Sequence, residues 1–180
     1  MQPTDIIRYW YSETMRKQWF ASTPELDNEI KELYEPLWQQ AAKGELDQWT
    51  DSAEGCLALV IMLDQFPLNM FRGEVKSFQT ESKSIEVTKI AIEKGFDLEL
   101  SQDKLSFLIM PLMHSEKLED QDLSVKLFKA HSLSNNLRFA EHHRGLIQKF
   151  GRFPHRNAIL GRESSEAEQA YLNSKEAFAG

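Results

Sequence analysis

Apolar residues recur along this chain at the three- and four-residue spacing of helices. From Pro24 to Lys43, Leu26, Ile30, Leu33, Leu37 and Ala41 mark one face, with Pro24 at a helix start and Gly44 just past the end. Pro36 is expected to kink or divide this helix. Upstream, Thr4 and Asp5 cap a first helix carrying Ile6, Ile7, Tyr9, Trp10 and Tyr11, and Trp19 and Phe20 anchor the chain before a turn at Ser22-Thr23-Pro24. Asp51-x-x-Glu54 opens a segment whose run from Cys56 to Leu63 is apolar on every face, as a helix central to the core would be. It is expected to end at Asp64-Gln65-Phe66-Pro67, because a proline disfavours helical geometry in the residue before it.

Lys76 to Lys94 is amphipathic and stops at Gly95. Asp103 to Met110 reads as a short apolar helix broken by Pro111, followed by helices from Glu116 to His131 and from Asn135 to Phe150. Ser165-x-x-Glu168 has the form of a capping box and opens a last helix with Ala167, Ala170, Tyr171 and Leu172. Sustained period-two alternation is absent. The pattern predicts an all-α protein of about eight helices joined by short turns, in one domain over residues 1–180.

Composition fits that reading: 41% hydrophobic, 27% charged and 11% aromatic residues are enough to build a packed core. The net charge of −7 sets the molecule as a whole against phosphate backbones and anionic lipid, so neither nucleic acid nor membrane is an expected partner. Charges at Asp5 and Arg8 interrupt any signal-peptide core, and no apolar stretch has the length of a membrane span. A cytoplasmic protein is expected. The one cysteine, Cys56, lies in the apolar run and reads as a core residue rather than a nucleophile.

Four segments place polar residues where packing alone would not ask for them: Asp64-Gln65-Phe66-Pro67-x-Asn69 with Arg72; His114-Ser115-Glu116 with Asp120-Gln121; His142-His143; and Phe150 to Asn157 with Arg162. All but the histidine pair lie at the end of an apolar helix, where unpaired backbone groups and polar side chains converge. The stretch from Arg138 to Arg162 holds Arg138, Arg144, Lys149, Arg152, Arg156 and Arg162 against the single acid Glu141. A basic island in an acidic protein points to an anionic ligand held by arginines. Internal pairing of Arg152 and Arg156 with Asp64, Glu116 or Asp120 is the structural alternative.

Adjacent His142 and His143 project about 100° apart on a helix, and with no His-Glu-x-x-His and no cysteine pair neither a metal nor a cofactor is expected. Ser115 lacks a nucleophile elbow and fits better as a helix cap. The aromatics Trp10, Trp19, Trp38 and Trp49 read as core or helix-contact residues.

LDQFPLNMFRG (Leu63 to Gly73), PLMHSEKLEDQDLS (Pro111 to Ser124), FGRFPHRNAILGR (Phe150 to Arg162) and the weaker AAKGELDQW (Ala41 to Trp49) resemble a bacterial family known as domain of unknown function 924. The resemblance implies a tetratricopeptide-like compact superhelix of antiparallel helix pairs, and it supplies no mechanism. Leu68 stands where the family commonly has arginine, and Leu33 replaces a basic residue, which implies weaker or different ligand binding here.

Three readings follow. The first is a binding module in which Gln65, Asn69, Arg72, His143, Arg152, Arg156 and Asn157 receive a small anion or an acidic peptide end. The second is a hydrolase using Asp64, His114, Glu116 or His155 as acid or base. In the third, the polar segments only lock helix ends together. The sequence leaves enzymatic activity and oligomeric state open.

Overall fold

A computed structural model describes residues 1–178, which divide into two compact units, Met1–Leu112 and Met113 onward. Helices and turns account for the regular structure of the described residues, as expected of an all-α protein, and no described helix is long and apolar enough to cross a membrane.

The first unit holds α1 (Pro3–Trp10), the single turn α2 (Glu13–Arg16), α3 (Pro24–Ala42), α4 (Ala53–Val60), α5 (Phe66–Met70), α6 (Glu81–Glu93) and α7 (Gln102–His114) as far as Leu112. Three starts are set by hydroxyl caps: Ser12, Thr23 and Ser52 accept from the backbone N–H of Met15, Leu26 and Gly55. At the end of α6, Gly95 takes φ +74°, a left-handed geometry that costs a residue without a Cβ little.

From Cys56 to Leu63 every residue is at most 1% exposed. Cys56 is one of them, and burial pushes its thiol up to about 11, so it packs as an inert core residue. Packing of α4 against α1 and α6, and of α5 against α3, encloses this segment. Phe66 is fully buried, with the rings of Tyr34, Trp10 and Tyr9 at 4.7, 5.7 and 6.2 Å.

The prolines do not end these helices. Pro67 was expected to stop the core helix, yet the chain passes from α4 through a π turn at Ile61–Gln65 directly into α5. An α-helix would have the residue-67 N–H donate to the Leu63 carbonyl, and proline has none. That carbonyl instead accepts from Thr80 Oγ1 at 2.6 Å, and Thr80 accepts from Trp38 Nε1 at 3.1 Å, so the buried group is satisfied from outside the helix. The extra residue of the π turn absorbs the mismatch. Pro111 also lies inside α7, and the next carbonyl after the Phe107 group that it deprives of a helical donor, Leu108 O, accepts from Thr88 at 2.8 Å. α3 also continues unbroken through Pro36, whose fourth preceding residue, Glu32, lies on the exposed side of the helix.

The same hydroxyls shorten the helix expected from Lys76. Ser77 donates to Glu74 O and Thr80 to Leu63 O, so Val75–Phe78 closes as a 3-10 turn and α6 begins only at Glu81.

The second unit comprises α8 (Leu118–Ala130), α9 (Ser134–Phe150), a 3-10 turn at Pro154–Arg156 and α10 (Glu166–Leu172). Three residues join α8 to α9, and the two pack along each other as an antiparallel hairpin. Leu146, Ile147, Phe153 and Tyr171 form a buried cluster that holds α9, the turn and α10 together. The capping box is present: Ser165 Oγ accepts from Glu168 N at 3.2 Å, and Glu168 Oε2 accepts from Ser165 N at 2.8 Å.

Two helical glycines make opposite predictions. A Cβ on Gly55 would lie 1.9 Å from the Trp49 carbonyl oxygen, whereas one on Gly145 meets nothing within 4 Å. Gly55→Ala is therefore expected to destabilise by about 2 kcal/mol or more despite the better helix propensity of alanine. Gly145→Ala should stabilise by roughly 0.5–1 kcal/mol. Urea unfolding of the two variants checks this, and equal signs would contradict the packing described for α4.

Candidate functional site

In the first unit the polar segment around Pro67 separates into two pairings. Asp64 and Gln65, both in the π turn and both buried, face each other, with Gln65 Nε2 donating to Asp64 Oδ2 at 2.6 Å. Asn69 and Arg72 converge on Asp27 in the first turn of α3. Asn69 Nδ2 donates to Oδ1 at 2.7 Å, Arg72 Nε donates to Oδ2 at 2.7 Å, and Ser22 Oγ adds a third contact at 3.0 Å. Burial raises the Asp27 carboxyl, but these donors outweigh it and hold the group below the usual carboxylate range. An open groove of about 440 Å³ along α3, lined by Asn28, Lys31, Glu32, Glu35, Pro36 and Gln39, contains none of these residues.

Arg144, Arg152 and Arg162 of the second unit's basic island are held by acids from outside it, Asp122, Glu168 and Glu116. Arg152 makes a bidentate pair with Glu168, Nε to Oε1 at 2.7 Å and Nη2 to Oε2 at 2.9 Å, and also donates to Glu163 O. Glu168 is 2% exposed, and Arg152 holds its carboxyl down at about 2. Arg162 forms the second fork, on Glu116, at 2.8 and 2.9 Å. Glu116 also accepts from Phe153 N at 2.8 Å; burial raises its carboxyl, and Arg162 with Phe153 N brings it net below the usual range.

Asn157, 1% exposed, accepts from Arg162 Nε and donates to Ser164 Oγ. Arg156 donates to the His114 carbonyl at 2.8 Å, with its guanidinium 4.8 Å over the Phe153 ring. Ser115 accepts from Lys117 N and donates to Asp120 Oδ2, and Gln121 donates to the carbonyls of Met113 and Ser115, so this segment organises the entry to α8.

Imidazoles form a different grouping. His143, 4% exposed, sets Nδ1 2.8 Å from Phe139 O; a carbonyl only accepts, so this nitrogen carries the proton. Its ring stands 5.4 Å from Phe153, which stands 5.4 Å from the half-buried His155. The Phe178 ring closes the group, 4.8 Å from His143, 5.2 Å from His155 and 6.3 Å from His142. Burial pushes His143 down to about 3, helped by His114, His142 and His155. It pushes His155 down to about 4, helped chiefly by Arg156. His155 Nδ1 is buried and has no hydrogen-bond partner among the described residues. Among those residues no group of three or more His, Cys, Asp or Glu is placed to hold a metal ion.

The family model of a bacterial protein of unknown function, DUF924, matches residues 6–176. The chain belongs to this family. Its structure is similar to that of ATU0120, a protein of unknown function from Agrobacterium tumefaciens, at 35% identity and a TM-score of 0.90, over 95% of this chain and 96% of that one. No curated protein matches the chain. The DUF924 motifs therefore fix kinship and fold, and function has to be argued from the side chains.

Asp64 with Gln65 and Asn69 with Arg72 gather in the first unit; His114, Glu116, His143, Arg152, His155, Arg156 and Asn157 all belong to the second. Sequence reasoning missed Asp27, Glu168 and Phe178. Glu168 had a signal, as a capping-box acid with a second oxygen to offer, whereas Asp27 and Phe178 had none.

Removing Arg152 leaves the buried Glu168 without its main counter-charge. Arg152→Ala is expected to lower the urea midpoint clearly, and a midpoint unchanged from that of the unaltered chain would show the pair to be unimportant. The histidines set a pH dependence. With its folded value depressed from 6.5 to about 3, His143 gives stability that is complete above about pH 6.5 and lost as pH falls toward 3. Unfolding at pH 5 should thus take up protons, and NMR titration should find His143 neutral down to about pH 4; a midpoint near 6.5 would refute this.

Proposed function

We propose that this protein binds a small anionic molecule, recognised in the second unit by His143, His155 and Arg156. The observation that carries the reading is the buried Nδ1 of His155, which has no hydrogen-bond partner among the described residues. Leaving such a nitrogen unmatched costs about 1–3 kcal/mol, and natural proteins keep the defect mainly where something else uses the atom. A ligand oxygen reaching Nδ1 would use it.

The charge around the imidazoles favours an anion. Arg156, His114 and Arg162 all disfavour a proton on His155, and Glu116 alone among the principal influences favours one. A bound anion reverses that balance and raises the histidine pKa, so binding takes up protons and strengthens as pH falls. Arg152, Arg162 and Asn157 are not assigned to the ligand, because Glu168, Glu116 and Ser164 engage them within the fold. That part of the basic island serves to hold α10 and its preceding loop in place. An acid–base hydrolase has less support, since Glu116 is a fixed anion between Arg162 and Phe153 N.

Phosphate and acetate are the first probes. Each should shift the His143 and His155 imidazole NMR resonances saturably, more tightly at pH 5 than at pH 7, and Arg156→Gln should weaken the effect by at least about tenfold. Resonances unmoved by both anions at both pH values would sink the proposal.

A further inference from the structure

Phe178 reaches the imidazoles from the segment that follows α10. After α10 ends at Leu172, the chain makes a turn at Ser174, where Glu176 N donates to Ser174 Oγ and Ala177 N to Ser174 O. Phe178 N donates to Tyr171 Oη at 2.9 Å. The Phe178 ring is boxed on three sides by imidazoles in edge-to-face contact, at interplanar angles of 61° to 77°. A partly exposed residue outside the helices thus occupies a position shaped for an aromatic ring.

The inner walls have support apart from the occupant. His143 is 4% exposed with Nδ1 on Phe139 O, Phe153 is 0% exposed in the core that joins α9 to α10, and His155 lies in the 3-10 turn beyond it, while the exposed His142 forms the outer edge. Withdrawal of Phe178 would leave the inner rings around a slot one ring wide. The Arg156 guanidinium over Phe153 puts a positive charge beside that slot.

Resting on the anion-binding reading above, we infer that His142, His143, Phe153 and His155 form an aromatic-ring subsite, that the ligand is a small aryl carboxylate, and that Phe178 holds its place until the ligand displaces it. The ring of such a ligand would take the position of the Phe178 ring, and its carboxylate would turn toward Arg156 and His155. Phe178 then acts as an internal competitor for the ring of the ligand and leaves the anion position open to anions without one.

The test titrates the full chain and Phe178→Ala with 3-phenylpropanoate and with acetate, by calorimetry and by the histidine resonances. Phe178→Ala is expected to bind 3-phenylpropanoate at least about tenfold more tightly than the unaltered chain, with acetate binding changed less than about twofold. Phe178→Leu, which keeps an apolar occupant, should fall between the two and guards against loss of fold in the alanine variant. Acetate binding with no gain for the aryl probe in either variant overturns the ring subsite and leaves the anion site standing. Absence of binding by both probes in all three proteins overturns both.

Discussion

The carbonyl of Leu63 sits where water does not reach, in a segment buried on all sides, and Pro67 has removed its helical donor. A buried acceptor of this kind has to be matched or it costs stability directly. The relay from Trp38 to Thr80 to Leu63 O meets the requirement and in doing so sets several neighbours. It brings α3 and the start of α6 to the same point, stops the helical run from Lys76, and allows α4 and α5 to follow one another through a π turn. Asp64 and Gln65 lie in that turn, so their burial follows from the backbone solution before any chemistry is considered.

In the second unit the same demand falls on charge. Glu168 is buried and Glu116 partly so, and each is met by a guanidinium fork together with a backbone N–H. Paired carboxylates and arginines in such settings break about even against apolar packing, and their value lies in fixing geometry. Here they pin the loop between α9 and α10, and this loop presents His155 and Arg156. The salt bridges and the imidazole group are therefore parts of one construction, in which carboxylate pairs fix the loop that carries His155 and Arg156.

Much of the helical layout was legible because it depends on neighbours in sequence. Thr23 and Pro24, Gly95, and the box of Ser165 and Glu168 each announce a boundary through contacts within four residues. Pro67 misled for the complementary reason. A proline breaks a helix when its orphaned carbonyl stays orphaned, and the donor that prevents this, Thr80, lies 17 residues from the Leu63 carbonyl it serves. The candidate site divides along the same line. Its residue types stood out in the sequence, while the partners that decide which of them are engaged, such as Asp27 42 residues from Asn69, could not be read there.

The basic island shows how local charge can mislead as to function. Counted along the chain, Arg138 to Arg162 is strongly positive, which argues for an anion held by arginine. Folding brings Glu116 and Glu168 from either side of it and neutralises Arg162 and Arg152 where they stand. What remains is less conspicuous in sequence: two neutral histidines beside Arg156, one with an unmatched ring nitrogen, and a phenylalanine laid against both. A neutral imidazole in a positive field is poorly suited to acid–base catalysis near neutral pH, because its protonated form is too scarce. It is well suited to recognising a negative group, since the same field that excludes the proton attracts the anion.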